Sequence, residues 1–482
     1  MALKYPLGIQ TFERIINEGY IYVDKTRLIY DLVHRSTYYF LSRPRRFGKS
    51  LLVSTLDAYF SGCKELFQGL AIEKLESEWE KYPVLRIDLN TADYSQDTSS
   101  LVNILSWHLR EWEKKFDISS TTDADPGTWF GSVIEQIYIK TGKQVVILVD
   151  EYDKPLIANI ERDNWDLQEK MRNTLKAFYG NVKTMDRYIR FAMFTGVSRF
   201  SHVSIFSDLN NLNDISLDRR YSTLCGISND ELHHYFDDGV EEMAQACNLT
   251  KDEVYEKLKL MYDGFCFSDN GEAIYNPWSL LSALSGKRFG AFWYRSGTPT
   301  FLIKLIKDRQ LDLTQFDHKI EADESTMITY ENDDNIIAPL YQTGYLTIKD
   351  YDPQFGTYML GFPNMEVTKA FNANLLPFYS QVSRMQIASL GATIARSAVA
   401  GNIDQVLTTL KGILAEAPVE SNDERVIELN YRNLIAIALR MSGLEVHIEQ
   451  PTSAGRIDLV LEAGDYVYIM EFKRTTIERS EE

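Results

Sequence analysis

The sequence predicts an α/β protein whose first half is a parallel sheet with helices on both faces. Three observations predict it. Short apolar runs alternate with helix-periodic segments between Tyr38 and Gly196. The tripeptide Gly48-Lys49-Ser50 falls where one such run gives way to a helical pattern. The residues Val145 to Val149, all valine, isoleucine or leucine, lead straight into Asp150-Glu151.

Taken in order, Tyr38 to Leu41 reads as a buried strand, and "SLLVSTLDAYF" from Ser50 has helical spacing. Tyr82 to Asn90 is a second strand and Leu101 to Trp112 a helix. Lys143 to Asp153 is a buried strand ending in acids, Asp166 to Tyr179 a helix, and Ile189 to Gly196 a further buried strand. Asn229 to Tyr262 is helical. A turn-rich stretch then leads to a helix near Pro277. Residues 286–350 read as helices ending in the β-like "GYLTIKDYD". Helices run from about residue 365 to Ala415, and "NDERVIELNYRNLIAIALRMSG" is a long helix stopped by Gly443. Two strands follow, "GRIDLVLEA" and "DYVYIMEFK". The expected domains are 1–228, a connector at 229–364 that is helical and winged-helix-like, and an α/β unit at 365–482.

Bulk properties narrow the function. A net charge of −18 argues against broad, nonspecific coating of nucleic acid, though not against a local basic groove. Four scattered cysteines have no metal-like spacing and are expected to be reduced thiols of a cytoplasmic protein. His233-His234 is expected on a helix surface. No segment has the length and apolarity to span a membrane, and the N-terminus does not read as a signal peptide.

A bare Gly-Lys-Ser arises by chance in roughly one chain in five of this length, so context carries the argument. The full phosphate-loop pattern has a glycine where this chain has Arg43. A turn without positive φ at Arg43-Pro44 removes the need for that glycine, and Pro44 restrains both residues. The run Arg45, Arg46, Phe47, Gly48, Lys49 and Ser50 is the expected nucleotide cradle, with backbone N–H groups around phosphates and Lys49 on the outer ones. Ser50 and Asp150 are expected to hold Mg²⁺, Glu151 to polarise the attacking water, and Thr195 to sense the terminal phosphate. The order of strands, loop and acids is that of nucleoside triphosphatases that use a catalytic glutamate.

The segments "YVDKT", "RPRRFGKS", "PVLRIDLN", "VDEYDKPL" and "FTGVSRFS", with "YDGF" and "YNPWSLL" beyond them, resemble the AAA-ATPase-like family of P-loop NTPases. The resemblance runs from about Tyr5 to Leu284. It implies ATP as the nucleotide and removes Arg43 as an anomaly, because that family usually replaces the first loop glycine. "YVDKT" is expected to be an exposed packing segment and Arg199 a surface arginine.

A second chemical site lies near the C-terminus. If Gly464-Asp465 is a two-residue turn, Ala463 pairs with Tyr466 and Asp458 lies opposite Glu471, with Lys473 on the same face. Opposed carboxylates repel unless a cation sits between them, and a divalent metal with a lysine beside it suits phosphodiester hydrolysis. The spacing is similar to the PD-(D/E)xK nuclease superfamily, which has a restriction-endonuclease-like fold and often adds a helical glutamate; Glu428 matches that position. In relatives a further helix follows. Here the sequence ends nine residues after Lys473, which predicts a C-terminally truncated domain and weak cleavage. The expected activity is an ATPase coupled to a metal-dependent nuclease-like domain. Its partners would be ATP and DNA or RNA, with no membrane; a homo-oligomer stays open. The alternative is a nucleotide-dependent switch or binding protein whose inactive nuclease fold serves recognition.

Overall fold

The computed structural model describes residues 4–120, 125–160, 164–199, 205–206, 211–269, 271–293, 302, 306, 311–316, 320–328, 335–417, 424–452 and 455–471. Five parallel strands form the main sheet: β1 (Tyr38–Ser42), β2 (Val84–Asp88), β3 (Val145–Asp150), β4 (Ile189–Gly196) and β5 (Asn213–Asp214). Their order is β2-β3-β4-β1-β5, so β4 lies between the strand that feeds the loop and the strand that ends in the acids.

Alternation along each strand supplies two cores. Tyr39 and Leu41 of β1 join Leu148 and Met193 under the helices Thr26–Arg35 and Lys49–Phe60. Tyr38 and Phe40 join Ile147, Val149 and Phe194 under Ser99–Phe116, Pro126–Thr141 and Trp165–Tyr179. The helix Pro126–Thr141 was not anticipated. Asp125 caps its Gly127 and Thr128 N–H groups and Pro126 occupies its first turn, a start signal present in the sequence.

β6 (Ile227–Ser228), β7 (Phe265–Cys266) and β8 (Ala273–Tyr275) form a small antiparallel sheet beside the helices Asn229–Cys247, Lys251–Tyr262 and Pro277–Gly286. The first two begin with capping boxes, Ser228 with Glu231 and Thr250 with Glu253. The β-like "GYLTIKDYD" holds β10 (Thr347–Asp352), whereas the stretch before it, expected to be helical, also contributes β9 (Ile320–Ala322); with β11 (Thr357–Gly361) they make an antiparallel sheet. Two short helices, Glu324–Ile328 and Ile337–Gln342, accompany it.

Helices Met365–Tyr379, Arg384–Val399, Ile403–Ala415 and Glu424–Arg440 follow, and Gly443 ends the last with φ 78°. The C-terminal sheet has three strands rather than two: β12 (Glu445–Thr452), β13 (Gly455–Ala463) and β14 (Tyr466–Met470). β12 lies at the edge, where Pro451 costs no ladder bond on its open side. One apolar core runs from Phe12 through Phe265 and Phe371 to Met470, across both expected boundaries.

Lys349 on β10 donates to the carbonyl of Pro363 at 3.0 Å, and burial pushes its ammonium from 10.5 down to about 8. The folded pKa lies below the unfolded one, so the folded chain holds fewer protons between pH 8 and 10.5. Stability therefore rises with pH through that window, and the penalty is full below it. Lys349→Met is expected to stabilise the protein at pH 7 by roughly 1–2 kcal/mol. In thermal melts it should also flatten the rise above pH 8; an unchanged melting profile would refute this.

Candidate functional site

The loop between β1 and Lys49–Phe60 turns through two positive-φ residues, Arg46 at 73° and Gly48 at 92°. Left-handed residues just before a helix are a backbone pattern that suits an anion nest. Arg43 and Pro44 do not have positive φ, so the turn at the replaced glycine needs no glycine. Glycine is required at 48, where a side chain would be strained.

Arg43 is a clamp rather than a phosphate ligand. Its side chain is buried, donates to the carbonyls of Ser42, Ser216 and Tyr221, and lies 4.3 Å from the Phe267 ring. Phe47 is buried between Phe265 and Phe267, so its contribution to a bound anion is confined to its backbone. The Arg46 guanidinium rests 4.3 Å from the Trp278 ring. Arg45 is partly exposed beside it.

Lys49 is buried and donates to the carbonyls of Arg43 and Pro44 at 2.8 and 3.1 Å. Burial lowers its pKa, opposed by Glu151, Asp150 and Asp153. Asp150 ends β3 fully buried and accepts from the Thr195 hydroxyl at 2.9 Å. Glu151 follows with φ 53°. Burial raises its pKa, and Lys49 opposes the rise. A strained backbone at a half-buried carboxylate is a common mark of a functional position.

Sequence reasoning assigned no role to Asp153, whose carboxylate accepts from Val197 N, Ser198 N and the Ser198 hydroxyl at 3.0, 2.6 and 2.6 Å. It fixes the turn after β4, and the acidic run "VDEYD" was its only signal. Arg199 is not a surface arginine. It is buried, bonds Asp214 at 2.9 and 2.6 Å, and its backbone N–H donates to Gln342 at 2.6 Å. The "YVDKT" segment is half-buried rather than exposed: Asp24 caps Thr26 and Ala71, and Lys25 pairs with Glu231 at 2.6 Å. An apolar cavity of about 100 Å³ opens beside Gly48, lined by Tyr22, Val23, Leu51, Thr55, Cys225 and Ile227 among others.

At the C-terminus the register pairs Ala463 with Tyr466 and Leu459 with Met470. Asp458, half-buried, and Glu471, exposed, each lie one residue beyond that last pair. Leu459, Leu461 and Met470 are buried. Glu428 is exposed on Glu424–Arg440. Lys473 lies outside the described residues. Among the described residues no three His, Cys, Asp or Glu side chains gather as a metal site. The hairpin carboxylates are hard-oxygen groups of the right chemistry, and no metal step is derived at them.

A five-stranded parallel sheet with a left-handed loop between β1 and the helix Lys49–Phe60, and acids at the end of β3, has the architecture of the P-loop NTPase class. Residues 6–206 match a family model described as a predicted AAA-ATPase, and residues 426–482 match the PD-(D/E)XK nuclease superfamily. The chain is 35% identical over 479 residues to an "Uncharacterized protein in vnfD 5'region" of Azotobacter chroococcum mcd 1, covering 98% of this chain and 89% of that protein. It belongs to this AAA-ATPase-like family, with a PD-(D/E)XK nuclease superfamily domain at its C-terminus. No solved structure matches it. Among the described residues, no helix is long and apolar enough to cross a membrane.

Proposed function

We propose that the protein binds and hydrolyses ATP, and that this cycle acts on a nuclease-like domain directed at nucleic acid. The observation that carries the nucleotide reading is the left-handed loop at Arg46–Gly48, followed by a buried Lys49 that interacts with Glu151 and Asp150, the latter bonded by Thr195. Lys49 already points at backbone carbonyls of the loop, a contact that phosphate oxygens would replace with stronger charge-assisted bonds. Mg²⁺ fits the hydroxyl of Ser50 and the carboxylate of Asp150, because a phosphate-bound Mg²⁺ needs few protein oxygens. It would neutralise charge on the phosphates. Thr195 holds Asp150 in place, and Glu151 accepts a proton from the attacking water.

The cavity beside Gly48 is the proposed seat of the nucleobase, since its walls are apolar and it adjoins the phosphate nest. Val23→Trp, which crowds it, is expected to weaken ATP roughly tenfold or more while leaving inorganic tripolyphosphate binding unchanged. Equal weakening of both ligands in calorimetry would place the base elsewhere. Domains at 1–228, 229–364 and 365–482 remain the proposed division. The Arg199–Gln342 bond favours communication between the ATPase and the connector, which also supports the switch reading.

For the hairpin we propose a shared metal at Asp458 and Glu471, with Glu428 and Lys473 as the remaining catalytic groups. In a Ser50→Ala background without nucleotide, Mn²⁺ should raise the melting temperature by mass action, and Asp458→Asn should remove that rise. The same response from both proteins would rule out a shared site.

A further inference from the structure

A second, smaller cavity of about 10 Å³ lies between Arg43, Arg199, Ser216, Phe267, Tyr341 and Gln342. Two guanidiniums line it, and both are almost fully buried, with relative exposures of 1% and 5%. Arg43 spends its Nη groups on carbonyls, and its Nε–H has no partner. Arg199 spends Nε and Nη2 on Asp214, and its Nη1 has no partner.

Among the described residues, the carboxylate charge at close range is less than the charge of the two guanidiniums. Asp214 answers one cation at close range. Glu324 is 3.5 Å from Arg199, but its side chain is 56% exposed and therefore screened. The Phe267 face compensates Arg43 only in part. Two of the polar side chains around the cavity already have partners. The Ser216 hydroxyl accepts from Ser42 N, and the Gln342 side chain bonds Arg199 N, Met327 O and Ile328 O. A buried surplus of positive charge with unanswered N–H donors is costly. A water would accept those donors but leave the charge. Phosphate and sulfate are too large for the space.

We propose that this cavity is a halide site in which one chloride bridges Arg43 and Arg199. It would tie the end of β1 to the turn after β4 and to the connector helix Ile337–Gln342, independently of the nucleotide reading. Gly344, whose Cβ would stand 2.9 Å from Pro44, shows how closely the connector approaches the loop here.

The test uses the full chain without nucleotide. Crystals soaked in sodium bromide should show an anomalous peak between Arg43 and Arg199. Potassium chloride should raise the melting temperature over potassium gluconate of equal ionic strength, saturably and by roughly 2–4 °C. Arg43→Gly keeps the nest at Arg46–Gly48 but removes one cation, and should abolish the chloride effect. If that variant does not fold, the bromide peak and the chloride rise in the parent protein decide. The absence of a peak at this position, or equal melting in both salts, would overturn the proposal. A peak without a chloride effect is an adventitious ion only and overturns it as well.

Discussion

Lys49→Ala is expected to abolish ATP binding in calorimetry, a loss of at least a hundredfold in affinity, without unfolding the protein. The loss follows from charge: Lys49 is the buried cation at the mouth of the nest, and nothing on the first turn of its helix can replace it. Triphosphate affinity rests on charge-assisted bonds in a site that excludes water, where each is worth about 1.5–3 kcal/mol. Stability is expected to fall modestly: removal relieves the desolvation of Lys49 but leaves Asp150, Asp153 and Glu151 without their nearby cation. The variant therefore separates a binding role from a folding role. Parent-like ATP affinity in Lys49→Ala would show that the nucleotide site is misassigned.

Glu151→Gln is expected to bind ATP as well as the parent and to hydrolyse it about 10²–10⁴ times more slowly. The amide keeps the shape and loses the proton acceptor. The raised pKa of Glu151, caused first by burial, adds a pH signature. Hydrolysis in the parent should fall as pH drops through that raised pKa, because the protonated acid cannot accept a proton. The residual activity of the variant should lack that limb. Glu151→Gly is a companion case: it relieves the left-handed backbone at φ 53° and should gain about 1 kcal/mol of stability while losing turnover. Undiminished hydrolysis by Glu151→Gln would remove this residue from the chemistry.

Much of the nucleotide half was legible because its signals are local. Buried parallel strands are continuous apolar runs, so β1, β3 and β4 stand out, and Gly48 marks the turn that needs a left-handed residue. The hairpin register was legible for the same reason: Gly464-Asp465 sets the turn, and a period of two does the rest. β12 was missed because "LEVHIEQPT" has a proline and mixed polarity, acceptable only at an edge that the sequence does not announce.

The sequence by itself determined the strands β1, β3 and β4 of the parallel sheet, the loop that follows β1, and the turn and register of the C-terminal hairpin. Only the tertiary structure decided the rest. Arg43 reads as a lost glycine until Ser216, Tyr221 and Phe267, more than a hundred residues away, close around it. Arg199 reads as a surface charge until Asp214 and Gln342 bury it. Asp153 has no visible task until β4 brings Ser198 to its oxygens. The physical reason is common to all three. A polar side chain is buried only where partners satisfy it, and those partners come from distant segments that no local pattern records.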